Sequence, residues 1–309
     1  MGSPKEFRYV LITPARNEEA FIENTIRSVI SQTILPLKWV IVSDGSTDRT
    51  DEIAASYLKD HGFIQLLRRE GDKLRNFGSQ VDAINAGCKV MQGLQYDFIG
   101  NLDADVSFAR EYYAQVLNKF MANDRLGLTG GYIFEKKGRD FVSRPFNRTT
   151  SVAHAVQLFR RKCFEDVGGY TPLKYGGSDA YAEVMARLKG WEVRSFSDLP
   201  VYHHKPTLTA EGKLNGGFRE GRMDYSLGSS SVFELFRCLL RVQKPYGPVY
   251  AMYRFAGFVW GYLIREERPV SKDFIKYLRK EERRKLVTSV FGETNCARSN
   301  PIQSASERK

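Results

Sequence analysis

Short apolar runs alternate with helical patterns over the first two hundred positions of this 309-residue chain. That alternation predicts βα units around a mostly parallel sheet. Strands are predicted at 8–13 (RYVLIT), 38–44 (KWVIVSD), 63–68 (FIQLLR), 96–102 (YDFIGNL), 126–131 (LGLTGG) and 192–197 (EVRSFS). Residues 18–32 place Phe21, Ile22, Ile26, Val29 and Ile30 on one helical face, so a first helix is expected there. A second opens at Ser46, Thr47 and Asp48, all good N-cap residues; a third covers 78–91 and a shorter one about 179–190. The polar, basic stretch 135–150 (EKKGRDFVSRPFNRTT) has little periodicity and reads as a mobile loop.

Beyond Pro206 the pattern changes. EGKLNGGFREGR reads as a charged, glycine-rich connection, and SVFELFRCLLRV and VYAMYRFAGFVWGYLI as aromatic, apolar helices. The second helix has about sixteen residues interrupted by Arg254, short of the roughly twenty that span a bilayer. The expected organisation is an α/β unit at 5–205, a mainly helical basic extension at 206–291 and a disordered tail at 292–309.

Charge sharpens that division. Residues 205–309 hold 20 of the 47 Lys and Arg and 11 of the 36 Asp and Glu, a net +9, leaving +2 for the first 204 residues. A basic extension can meet an anionic membrane surface, an acidic substrate or nucleic acid, or remain a solvated face. Cys88, Cys163, Cys238 and Cys296 are far apart and form no C-x-x-C pair, so neither a disulfide framework nor a zinc ribbon is expected. With no apolar signal-peptide core at the N-terminus, the expected location is cytoplasmic, with a peripheral position on the inner face of the membrane open.

Candidate chemistry falls at three predicted strand ends: TPARNEE, SDGSTD and LDADVS. In parallel α/β sheets, ligands bind outside the carboxyl ends of the strands. Asp103 and Asp105 alternate with Ala104, so on an extended backbone both carboxylates face one side and repel unless a cation lies between them. No glycine-rich phosphate loop follows the first strand. A hard divalent cation, Mg²⁺ or Mn²⁺, bridging these carboxylates to a diphosphate would satisfy both groups.

TPARNEE, VSDGSTDRT, RNFGSQVDAINAG and NLDADV, in this order, resemble the family-2 glycosyltransferases of GT-A fold, over about residues 7–205. The resemblance implies a Rossmann-like α/β fold that inverts the anomeric carbon of a sugar nucleotide of UDP or GDP type. It implies that Pro14, Ala15, Arg16 and Glu18 shape the nucleotide pocket and that Asp44 accepts a hydrogen bond from the base. Arg75 would touch the nucleotide, Asp103 would lie near ribose or metal, and Asp105 would ligate the metal. In GGYTPLKYGGSDAYAEVMARLKGW the base is expected to be Asp179, with Glu183 the second choice; four residues apart on a helix, they share a face. Ser178 stands where the commoner motif has Glu. A histidine of VYHHKP, His203 before His204, would complete the metal shell; adjacent residues on a strand point oppositely, so only one can do so.

The reading is therefore a metal-dependent inverting transferase acting on a glycan or lipid-linked acceptor. Absence of a Q-x-x-R-W motif argues against a processive synthase. Two alternatives stay open. One is a polyprenyl-phosphate sugar synthase, whose anionic acceptor needs no base; the other is a basic nucleic-acid-binding protein, disfavoured because acidic strand ends would repel a phosphate backbone.

Overall fold

The computed structural model describes residues 7–70, 77–145, 147–205, 213–242 and 247–291. The predicted βα alternation is realised as β1 (Tyr9–Ala15), α1 (Ile22–Ile30), β2 (Lys38–Asp44), α2 (Thr50–Ser56), β3 (Ile64–Arg69) and α3 (Phe77–Val90). Next come β4 (Phe98–Asn101), β5 (Val106–Phe108), α4 (Tyr112–Met121), β6 (Leu126–Lys137) and β7 (Asp140–Ser143). A 3₁₀ turn (His154–Val156), β8 (Leu158–Arg160), α5 (Arg161–Val167), α6 (Ser178–Leu188) and β9 (Glu192–His203) complete the α/β part. The strands lie in the order β3-β2-β1-β4-β8-β6-β9-β5, with β7 paired to β6. The β3-β2-β1-β4 half and the β6–β9 pair are parallel; β8 and β5 join their neighbours antiparallel.

The period of two along β1 and β2 sorts their apolar residues onto opposite faces. Tyr9, Leu11, Trp39 and Ile41 pack with Ile22 and Ile26 of α1 and Val116 and Phe120 of α4. Val10, Ile12, Val40 and Val42 pack with Val81 and Ile84 of α3 and Ala182 and Ala186 of α6. Each fully buried large side chain contributes roughly 2 kcal/mol by leaving water. The one polar atom of Trp39 is satisfied as well, since its indole N–H donates to Thr13 Oγ1 at 2.9 Å. Where β6 shifts register against β9 at Gly131, an added Cβ would overlap the Leu199 carbonyl, so only glycine fits that crossing.

Two expectations are corrected here. Residues 135–150 are not a loop throughout: β6 runs on to Lys137 and turns through Gly138 (φ +66°) into β7. The hairpin holds because Phe141 packs on Tyr202 and Arg144 pairs with Glu135 at 2.9 Å. The glycine-rich connection is also in large part a helix, α7 (Lys213–Ser226). Its glycines form a packing surface: a Cβ on Gly221 would strike the Arg254 carbonyl of α9 (Gly247–Leu263), and one on Gly257 would strike the Phe218 carbonyl. Between them lies α8 (Ser231–Val242), and α10 (Lys272–Phe291) packs on α6 through Arg187 and Glu281 at 2.7 Å. The predicted tail at 292–309 lies outside the described residues.

Candidate functional site

The loops after β1 and β2 are stitched together. Asn17, in the left-handed region at φ 55°, donates its N–H to Ser46 Oγ at 3.2 Å and accepts from the Thr47 N–H at 2.8 Å. Glu19 and Asp48 exchange the roles: Glu19 N–H reaches Asp48 at 3.1 Å, and Arg49 N–H reaches Glu19 at 3.0 Å. Asp48 also accepts from the Thr50 N–H at 3.0 Å, but the N-cap of α2 is Arg49 and none of Ser46, Thr47 or Asp48, so the helix starts later than the sequence suggests. This frame holds half-buried Pro14, buried Ala15 and half-buried Arg16 beside the end of β2. Asp44, 5% exposed, ends β2 and pairs with Arg69 at 3.4 Å. Arg75 lies outside the described residues.

Asp103 and Asp105 follow β4, and the antiparallel register Val106↔His203 brings the end of β9 against them. Asp103, Asp105 and His203 can each offer one ligand atom within 4.8 Å of the others. His203 Nε2 lies 3.4 Å from Asp105, whereas His204 turns the other way, its Nε2 2.8 Å from Ser107 Oγ. Lys205 closes the rim by donating to Glu18 at 2.6 Å. Burial pushes the Asp105 carboxyl up to about 8, and the charges of Asp103 and Glu18 add to this against Lys205. Burial also lowers the His203 imidazole, opposed by Asp103, which favours the neutral ring that metals bind.

A divalent cation fits this arrangement. His203 Nε2 faces Asp105 at 3.4 Å, and the two carboxylates meet where a positive charge would relieve their repulsion. Carboxylate oxygens with one imidazole suit Mn²⁺ or Mg²⁺.

One member of the site was absent from the sequence reading. His154, in the turn before β8, lies 3.5 Å from Asp103, and Asn101 donates to the His154 carbonyl at 2.7 Å. Burial disfavours the imidazolium, but the hydrogen bond and charge of Asp103, helped by Asp179, raise His154 overall. Asp103 is likewise held low against its burial, first by His154. One of four histidines in the chain, His154 carries no motif that would mark it.

The two candidate bases differ in their surroundings. Gly177, at φ 86°, is the N-cap of α6, so Asp179 lies in the first turn and is not the cap. Among the described residues Asp179 has no hydrogen-bond or ion-pair partner, yet its charge is felt by His154 and Tyr170. Glu183 is 5% exposed and committed elsewhere: it accepts from the Val152 N–H at 2.7 Å and the Ser151 hydroxyl at 3.0 Å, with Arg187 at 3.5 Å. The geometry thus leaves Asp179 free to act and gives Glu183 the work of holding the 151–152 segment.

The sequence profile described as "Glycosyl transferase family 2" matches residues 10–174, more than half of the chain. The chain belongs to glycosyl transferase family 2. It is similar to a poly-beta-1,6-N-acetyl-D-glucosamine synthase of Staphylococcus epidermidis, 24% identical over 271 residues, covering 80% of this glycosyltransferase and 61% of that protein. Across such curated relatives the matches span 18 to 61% of their length. Among solved structures, it resembles the mannosyltransferase PcManGT of Pyrobaculum calidifontis, in complex with GDP-Man and Mn²⁺ (TM-score 0.53, 13% identity, 93% of this chain and 88% of that one). It also resembles S. aureus TarS in complex with UDP-GlcNAc (TM-score 0.53, 14% identity, 89% and 83% covered). These likenesses establish the GT-A fold of this glycosyltransferase.

Proposed function

We propose that this glycosyltransferase moves one sugar from a nucleoside-diphosphate sugar, of UDP or GDP type, to a hydroxyl acceptor in glycan or glycolipid assembly, with inversion at the anomeric carbon. The observation that carries the reading is the convergence of Asp103, Asp105 and His203 after β4 and at the end of β9. Asp105, Asp103 and His203 would hold Mn²⁺ or Mg²⁺, which supplies positive charge to offset that growing on the leaving diphosphate. Asp44 accepts a hydrogen bond from the base, and Pro14, Ala15, Arg16 and Glu18 shape the pocket that receives it. Asp179 takes the proton of the attacking hydroxyl. The acceptor oxygen forms its bond to the anomeric carbon as the bond to the diphosphate oxygen breaks on the opposite face. Likeness to a polysaccharide synthase and to structures holding GDP-Man and UDP-GlcNAc supports the donor class.

Slow hydrolysis of the donor tests this without knowledge of the acceptor. NMR of the first sugar released from an α-linked donor should show the β anomer; release of the α anomer would refute inversion. A second reading, transfer to a lipid-borne phosphate at an anionic membrane surface, is favoured by the apolar outer faces of α8 and α9. In that reading Asp179 is dispensable, because the acceptor is already an anion.

A further inference from the structure

The helices α8 and α9 have the polarity of a soluble protein reversed. Val232, Leu235 and Leu239 on α8 and Met252, Trp260 and Leu263 on α9 stand outward, 46 to 69% exposed. Among the described residues of 231–264, no exposed side chain is charged. The charges turn inward instead. Arg254 is 0% exposed; its Nε donates to Glu234 at 2.8 Å, and its other nitrogens reach Glu220 and Asp224 of α7. Arg237 adds a contact to Asp224 at 3.0 Å, and Arg241 one to Glu220 at 3.3 Å.

In water this order is unfavourable twice over, since charges lose hydration while apolar surface keeps contact with solvent. Against hydrocarbon it is the favourable arrangement: Arg254 is paired from within by three carboxylates, and the outward large side chains are apolar or aromatic. The glycine notches between α7 and α9 bring the two backbones into contact, a mode of packing that works without a hydrophobic driving force. At 1.5 Å per residue, the 17 residues of α9 and 12 of α8 reach about 25 and 18 Å, less than the roughly 30 Å of a bilayer core. No described helix is long and apolar enough to cross a membrane.

Beside this pair lies a cationic flank. The Ser230 N–H, just ahead of α8, donates to Glu282 of α10 at 2.8 Å, and α10 exposes Lys272, Lys276, Lys280, Arg283 and Arg284. An anionic leaflet complements that flank, whereas a second copy of this chain would bring its own basic helix to the same face.

We propose that α8 and α9 form an interfacial wedge that enters one leaflet of an anionic membrane, with α10 resting on the headgroups. The inference deepens the proposed function by placing the acceptor at a lipid surface, and it rests on that reading only for the acceptor; donor binding is independent of it.

Flotation of the full chain tests it, using vesicles of equal phosphatidylcholine and phosphatidylglycerol and vesicles of phosphatidylcholine alone. The wild type should float with the mixed vesicles and at least about tenfold less with the neutral ones. Leu239→Glu combined with Leu263→Glu should lower partitioning at least about tenfold, while Met121→Glu, an equally exposed apolar site on α4, should not change it. Failure of the wild type to float with the mixed vesicles, or flotation of the double variant like wild type, would overturn the wedge. So would light scattering showing a wild-type dimer that Leu239→Glu disperses, because the face would then be a self-interface. The nucleotide-induced rise in melting temperature, followed in the same samples, shows separately whether the donor reading stands.

Discussion

Glu183→Gln gives a stability prediction whose size follows from one buried carboxyl. Burial raises Glu183 from 4.5 to about 7, with Arg187 and the Val152 N–H pulling the other way. A group raised in the folded state contributes stability that is fully present below its unfolded value and is lost as pH rises through the folded value. In that window the native state holds the extra proton, so stability falls with rising pH. At about 1.4 kcal/mol per unit, the loss between about pH 5 and pH 8 is roughly 3 kcal/mol. Glutamine keeps an oxygen for Val152 and Ser151 but carries no charge, and the Glu281 partner still holds Arg187. Urea unfolding of both proteins at the two pH values should therefore show the variant gaining about 3 kcal/mol relative to wild type, near 1 M in midpoint. Parallel pH profiles would refute the reasoning, since Glu183 would then be ionised without penalty in the fold.

Three further outcomes follow from the same structure. Arg254→Met removes the buried cation that Glu220, Asp224 and Glu234 share, leaving only the partly exposed Arg237 and Arg241 beside them, and should cost about 3–5 kcal/mol in urea unfolding. Gly131→Ala forces a methyl into the Leu199 carbonyl and should lower stability by about 3 kcal/mol, read as a drop in melting temperature. Asp179→Asn should cut turnover about a hundred- to ten-thousand-fold while leaving nucleotide affinity within about twofold, measured by steady-state kinetics and titration calorimetry; unchanged turnover would favour the lipid-phosphate acceptor.

Much of the α/β fold was legible because its strands are buried on both faces and read as continuous apolar runs, as in YVLIT and KWVIV. The strand-end motifs marked Asp44, Asp103 and Asp105, but residues 103–105 lie in the turn between β4 and β5 and not on an extended strand, so the period-two argument does not describe how the two carboxylates meet. The hairpin at 135–143 escaped because it is largely exposed and held by a salt bridge and the ring contacts of Phe141 with Tyr202 and His204, none of which leaves a period of two. Helix α7 escaped because glycine disfavours helices in isolation, whereas here Gly221 and Gly257 admit the facing backbone. His154 was invisible because its partner Asp103 is distant in sequence and they are joined by the β4–β8 pairing and the bonds of Asn101 and Asp103 to the 154–155 turn.

The central claim is a donor site built on Asp103, Asp105 and His203, and thermal melting with a panel of nucleoside diphosphates tests it most directly. With Mn²⁺ present, one nucleotide at about a hundred times its Kd should raise the wild-type melting temperature by about 5 °C, and neither metal-free protein nor Asp105→Ala should respond. If no nucleotide stabilises the wild type with metal, or if Asp105→Ala responds equally, the site does not bind its donor in this way.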